Sequence, residues 1–278
     1  MPSRVQTITD AISIFDNAEY PNGLNPATAW LGIYQTLLWY EPVNWVGFSQ
    51  LPHIIDANQL RPASPQLQRT WTRPNRWQRC AASVAEYLAQ HLNCTVADVP
   101  DKVDRLMKHL SYAGMQRQNS LGIGFAGLVM HILRKFGSAA IEYETEVHAT
   151  TLFPDISLAG RSTASRGDLI ARVEGVPRAT ISAKWSVRHD RVNDVTNECA
   201  SYKDAYNQKY GYTGKPLFYF VVTNEFEPAR LTKMLSDPCA DGVVHVHKDA
   251  VTQVCGMNGR LEDLMDIKDL IQATERWL

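Results

Sequence analysis

The stretch GDLIARVEGVPRATISAKW, residues 167–185, constrains the chain more than any other. Two runs rich in β-branched residues flank a Gly-Pro turn signal, which predicts a β-hairpin. Past the turn the sequence alternates. Ser182, Lys184, Ser186 and Arg188 fall on one side, and Ile181, Ala183, Trp185 and Val187 on the other. That is the period of two of a half-buried strand. A loop at Gly175-Val176-Pro177 sets Glu174 opposite Arg178, Ala171 opposite Ile181 and Leu169 opposite Ala183. In that register Asp168 lies across from Lys184, and both emerge on the polar face while the apolar side chains share the other.

The remaining pattern sorts into two parts. Residues 1–114 read as a mainly helical subdomain: NPATAWLGIYQTLLWYEP, capped by Asn25 or Thr28, then QRCAASVAEYLAQHL and VPDKVDRLMKHLSYAG. Residues 115–278 read as an α/β core. Its apolar helix NSLGIGFAGLVMHILRKFG ends at Gly137 as a C′ glycine, and the strand AAIEYETEVHATTLF precedes the hairpin. The helix DVTNECASYKDAYNQKYG closes at Gly211, and PLFYFVVTNE is a buried strand. The short helix ARLTKMLSD, the strand GVVHVHK and one terminal helix, LEDLMDIKDLIQATERWL, complete it. Strands alternating with helices after a hairpin predict a mixed central sheet flanked by helices.

Composition removes several classes of function. The formal charge of -1 over 278 residues argues against a diffuse polycation, but a local basic cleft can still attract DNA phosphates. No apolar run reaches the length of a membrane span, and MPSRVQTITD lacks a signal-peptide core, so a cytoplasmic protein is expected. The five cysteines, Cys80, Cys94, Cys199, Cys239 and Cys255, are scattered, and they read as reduced thiols, not as a disulfide framework or zinc site.

A carboxylate and an ammonium on adjacent strands can hold a divalent cation and orient a water, which suits phosphodiester hydrolysis. One carboxylate holds magnesium weakly. The position two before the lysine, where an acid would complete an Asp/Glu-x-Lys motif, is Ser182. Glu198, placed in the first turn of the next helix, can supply the second acid.

The segment ISAKWSVRHDRVNDVTNE resembles the signature of the type II restriction endonucleases that recognise sites with a central CCGG, members of the PD-(D/E)xK nuclease superfamily. The similarity runs on through PLFYFVVTNEFEPARL and GVVHVHKDAV, roughly the C-terminal 160 residues. The resemblance implies a restriction-endonuclease-like core, Mg2+ as cofactor, double-stranded DNA as partner and a homodimer on a palindrome such as ACCGGT. It implies a cut before the first C that leaves a 5′ overhang. Ser182 and Lys184 match the family's Ser-x-Lys, Glu198 its displaced acid, and Asp168 its first acid. Arg188, Asp190 and Arg191 match the base-reading cluster, and Gln118 and Asn119 the minor-groove reader. The chemistry agrees, since arginine pairs with guanine O6 and N7 and aspartate accepts from cytosine N4.

The match is incomplete in places. Asp155, in FPDIS, is a second candidate for the first acid; Asp168 is preferred because it begins the strand that pairs with the lysine strand. Where the family carries a glutamate after a phenylalanine, this chain has Ala126 after Phe125, and Glu86 is read as a solvated helix residue. TWTRPNRW reads equally as a DNA contact or a packed loop. His245 and His247 read as residues of a half-exposed strand, and Tyr202, Tyr206 and Tyr210 as packing. The alternatives are a junction or repair nuclease that recognises DNA shape, and a DNA-binding protein without catalysis.

Overall fold

In the computed structural model the described residues are 4–18, 20, 22–37, 89, 95–98, 118–158, 165–185, 187, 192–225, 227–255 and 259–278. The chain divides into two compact units, residues 1–124 with 249–257, and residues 125–248 with 258–278. The expected helices over residues 78–92 and 99–114 lie outside the described residues, apart from Ala89, which is helical. Glu86 and TWTRPNRW also lie outside them.

In the first unit the helices Arg4–Asp16 and Ala29–Leu37 pack on each other, and Ala11, Phe15, Leu31 and Ile33 are buried. Gly32 permits the approach, because a Cβ there would sit 2.6 Å from the Phe15 ring. Asn25 begins the second helix with an Asx turn, its Oδ1 accepting from the Ala27 N–H at 2.9 Å.

The second unit holds a five-stranded sheet in the order β1-β2-β3-β4-β5. Its strands are β1 Glu142–His148, β2 Arg166–Val173, β3 Val176–Lys184, β4 Phe218–Thr223 and β5 Gly242–His245. β1, β2 and β3 pair antiparallel, whereas β3, β4 and β5 pair parallel. The parallel half needs crossovers, which the helices Val192–Tyr210 and Pro228–Leu235 supply. The chain is thus an α/β protein with a mixed sheet flanked by helices and with further helices at its N-terminal end.

The hairpin forms in a different register from the expected one. Leu169 pairs with Ile181 and Ala171 with Ala179, and Val173 pairs with Val176 around a two-residue turn. The expected loop at Gly175-Val176-Pro177 is incorrect, because Val176 and Pro177 already belong to β3. Glu174 and Gly175 both take positive φ, 51° and 78°. That is the type I′ geometry, whose twist matches the flanking strands. The register steps at a bulge between Ala171 and Arg172, next to the Arg172–Pro177 pair, where proline's missing N–H is tolerated. Beyond the bulge each partner differs from expectation by two residues. A two-residue shift leaves every side chain on its expected face.

The polar face of β3 is covered, not solvated. Thr180 and Ser182 are as buried as Ile181 and Ala183, so the expected half-buried strand is in fact buried on both sides. On the apolar face Phe125, from the Gln118–Phe136 helix, meets Trp185 edge to face, and Trp277 packs against Phe220. On the other face lies the Val192–Tyr210 helix, with Cys199, Tyr202 and Tyr206 buried. Arg178 at the start of β3 is buried but satisfied. It donates from Nε to the Trp277 carbonyl at 2.9 Å and from Nη1 to the Pro216 carbonyl at 3.2 Å.

Three further expectations change. Cys199 and Cys239 form a disulfide, which corrects the reading of all five cysteines as reduced thiols. The fold brings together residues 40 apart, and scattered spacing carries no trace of that. The terminal helix is interrupted. Met265 bridges to Val244, and Asp266 starts a new helix, Ile267–Ala273, with a capping box to Asp269. Neither expected glycine stop has the left-handed geometry. Gly137 keeps an ordinary φ, and Gly211 begins a further short turn that ends at Gly214, φ 65°.

The turn yields a direct test. Glu174→Gly should stabilise the protein and Gly175→Val should destabilise it, each by about 1–2 kcal/mol, because non-glycine residues at positive φ are strained. Urea unfolding measures both. Under the longer loop first expected, neither change has a reason to matter.

Candidate functional site

Asp168 stands near the start of β2, and Ser182 and Lys184 near the end of β3. The strand register places all three on the same face. One carboxylate oxygen, Asp168 Oδ2, gathers three donors: Lys184 Nζ at 2.6 Å, the Ala183 N–H at 3.0 Å and Ser182 Oγ at 3.5 Å. The pairing of Asp168 with Lys184 therefore forms despite the altered register. The long lysine stem spans the two-residue offset. The Asp168 side chain is 19% exposed and that of Lys184 37%, so the pair sits where the buried strand meets solvent. An ion pair this wet contributes little to stability. Its interest is positional.

Glu198 lies in the second turn of the Val192–Tyr210 helix, not the first as expected, and it is buried. Its charge is felt at Tyr219, on the same face of the sheet as Asp168. This phenol on β4, paired with Thr180, shares the face of Asp168 and Ser182. Its pKa is pushed well above the ordinary value, first by burial and then by the negative charge of Glu198, with a smaller push from Asp168. The Ser182 hydroxyl acts in the opposite direction. The charges of two carboxylates from different elements thus both act on one buried hydroxyl. The Tyr219 phenol stays neutral there and remains a potential donor.

Sequence reasoning passed over Tyr219, since FYFVV reads simply as a buried strand. Only the parallel pairing of β4 with β3 puts its hydroxyl beside Ser182. It also passed over Glu225, described below, although an acid directly after a buried strand was a usable signal.

The other sequence-derived residues are distributed as follows. Asp155 is exposed in a turn at φ 66°. Ala126 and Phe125 are buried in the Gln118–Phe136 helix. Gln118 and Asn119 form the start of that helix, and their side chains lie outside the described residues, as do Arg188, Asp190 and Arg191. Tyr202 and Tyr206 are fully buried; Phe153 packs on Tyr202, and the Tyr206 ring lies 5.4 Å from that of Tyr210.

His245 and His247 correct an expectation. Both are buried, because β5 is covered and His247 lies in the turn after it. His245 Nδ1 accepts the His247 N–H at 3.0 Å. Burial lowers the His245 pKa to about 3, against partial offsets from bonds with the backbone of His247, Glu225 and Asn224. His245 shares a row with Thr223 and Lys184 across the ends of the three parallel strands.

Among the described residues no helix is long and apolar enough to cross a membrane, and no group of three or more His, Cys, Asp or Glu gathers as a metal cluster. The donors at the site are carboxylate and hydroxyl oxygens. They suit a hard cation that keeps part of its water shell better than zinc or copper.

No protein-family model and no curated protein matches the chain. Among solved structures, metal-depleted Ecl18kI in complex with uncleaved, modified DNA is similar at a TM-score of 0.35 and 14% identity. That alignment covers 100% of this chain and 85% of the other.

His245 makes stability depend on pH in a defined window. Its folded pKa of about 3 lies below the unfolded value of 6.5, so the unfolded chain takes up the extra proton. Its contribution is complete above pH 6.5 and falls, by up to about 1.4 kcal/mol per pH unit, as the pH drops towards 3. His245→Gln should remove that slope. Urea titrations between pH 4 and 7 measure it, and equal slopes in the two proteins would contradict the assignment.

Proposed function

We propose that the chain is a magnesium-dependent, sequence-specific endonuclease of double-stranded DNA. In this reading it is a type II restriction enzyme of the CCGG group, acting as a homodimer on a palindrome such as ACCGGT. The cut falls before the first C and leaves a 5′ overhang. The observation that carries the reading is the meeting of Asp168, Ser182 and Lys184 at one carboxylate oxygen, with Glu198 approaching from the next helix. A surface salt bridge needs no buried second acid. A magnesium-dependent phosphodiesterase built on one strand acid does.

Asp168 and Glu198 would hold the cation, which when bound supplies Lewis acidity at the scissile phosphate and a more acidic water. Lys184 brings a positive charge to the rim of the site, where it can steady a phosphate oxygen and orient the attacking water. Ser182 and the Ala183 N–H hold the Asp168 carboxylate in a fixed direction. The base reader of this proposal is Arg188, Asp190 and Arg191, with Gln118 and Asn119 in the minor groove. It rests on the sequence resemblance. Two arginines for two guanines and one carboxylate for the cytosines make a complete reader of a CCGG half-site, and a two-fold dimer reads the palindrome.

Incubation with magnesium and a plasmid of known sequence, followed by mapping of the ends, tests the reading. Discrete fragments with CCGG-centred ends are expected; an intact plasmid or random nicks would refute it.

Asp168→Ala and Lys184→Ala should each slow cleavage roughly a thousandfold or more, the scale of losing several kcal/mol of charge stabilisation. Binding measured in calcium should change little. Glu198→Ala should lose turnover in magnesium and regain a little in manganese. Asp155→Ala should cut normally, and the reverse result would move the first acid to Asp155.

Arg188→Ala or Arg191→Ala should weaken binding to a CCGG duplex by about 1–3 kcal/mol while affecting a scrambled duplex far less. Competition binding in calcium at fixed salt gives the comparison. Equal losses on both duplexes would make these residues phosphate contacts only.

A further inference from the structure

We infer that Glu225 is a positioning residue that fixes the peptide between the lysine and the base reader, an inference that rests on the function proposed above. β3 and β4 pair in parallel up to Lys184 and Thr223. One further rung follows, the Asn224 N–H donating to the Trp185 carbonyl at 3.0 Å. At the next step a side chain takes over from the backbone. The Val187 N–H donates to Glu225 Oε2 at 3.1 Å.

The carboxylate is held on every side. Arg230 Nη1 donates to the same Oε2 at 3.1 Å, and the Glu227 N–H donates to Oε1 at 2.9 Å. The Glu225 N–H in turn donates to Thr223 Oγ1 at 3.2 Å. Glu225 is 3% exposed and Val187 2%. A charge buried this deeply is tolerated only because its oxygens are occupied by donors, one of them a guanidinium.

The location gives the arrangement its meaning. Lys184 lies three residues before Val187, and Arg188 follows Val187 directly in the sequence. The amide that Glu225 grips therefore joins the residue that serves the phosphate to the residues that read the bases. Loosening it should degrade discrimination between sequences more than general affinity, since phosphate attraction does not depend on register.

Glu225→Gln is the test. A neutral amide oxygen accepts the Val187 N–H and the Arg230 guanidinium more weakly than a carboxylate oxygen does, and its NH2 end faces the Glu227 N–H donor to donor. Two measurements are made on the full-length protein. Hydrogen exchange at the Val187 amide should speed up at least tenfold while Val221, inside β4, is unchanged. In calcium, the ratio of affinity for a CCGG duplex to that for a scrambled one should fall about tenfold, with scrambled binding unaltered. If the wild-type protein has no preference for CCGG, the proposed function fails and this inference fails with it. If the wild-type protein discriminates and a folded Glu225→Gln variant discriminates equally well, the positioning role alone is overturned. Should Glu225→Gln not fold, Arg230→Gln decides. Its guanidinium shares Oε2 with the Val187 N–H, and without it the carboxylate is no longer held against that amide, so a reduced ratio supports the role and an unchanged ratio overturns it.

Discussion

β3 is covered on both faces, and this burial governs how the second unit is built. Every polar side chain on the strand has to find its partner inside the protein or at the strand's end. Arg178 is answered at the start by the Trp277 and Pro216 carbonyls. Ser182 is answered in the middle by Asp168, and Lys184 at the rim by the same carboxylate. The polar row of the strand thus reaches solvent only at its C-terminal end, where the parallel strands β4 and β5 also finish. In open α/β sheets that edge is where ligands bind.

What the sequence made legible follows from the period of a strand. Parity assigned Asp168, Ser182 and Lys184 to one face and Ile181, Ala183 and Trp185 to the other, and these assignments hold in the folded hairpin. Register was not legible. GVPR looks like a loop because it contains glycine and proline, yet the Val173–Val176 pairing and the positive φ of Glu174 and Gly175 show where the chain reverses. The error was harmless because the offset was two; an offset of one would have turned Lys184 into the core.

Other features were hidden because they join distant segments. Neither Cys199–Cys239 nor the approach of Glu198 to Tyr219 has a local signature. Both depend on the Val192–Tyr210 helix lying over the sheet. The two histidines misled for a related reason. Alternation with valine in GVVHVHK is the pattern of a half-exposed strand, and burial depends on what covers the far face.

The helix bearing Glu198 is anchored at one more point than its packing requires. Besides the disulfide, Lys203 donates to the Cys239 carbonyl at 2.6 Å and to Asp241 Oδ2 at 2.8 Å. Asp241 Oδ2 also accepts the Tyr219 N–H at 2.7 Å. One carboxylate therefore ties the helix to the residue of β4 on whose hydroxyl the Glu198 charge acts. Asp168 is fixed by the hairpin, whereas Glu198 has no strand to hold it and depends on the helix being placed correctly. In the function proposed above, a second acid drawn from a helix would need such anchoring, because a cation held by two carboxylates tolerates little drift between them.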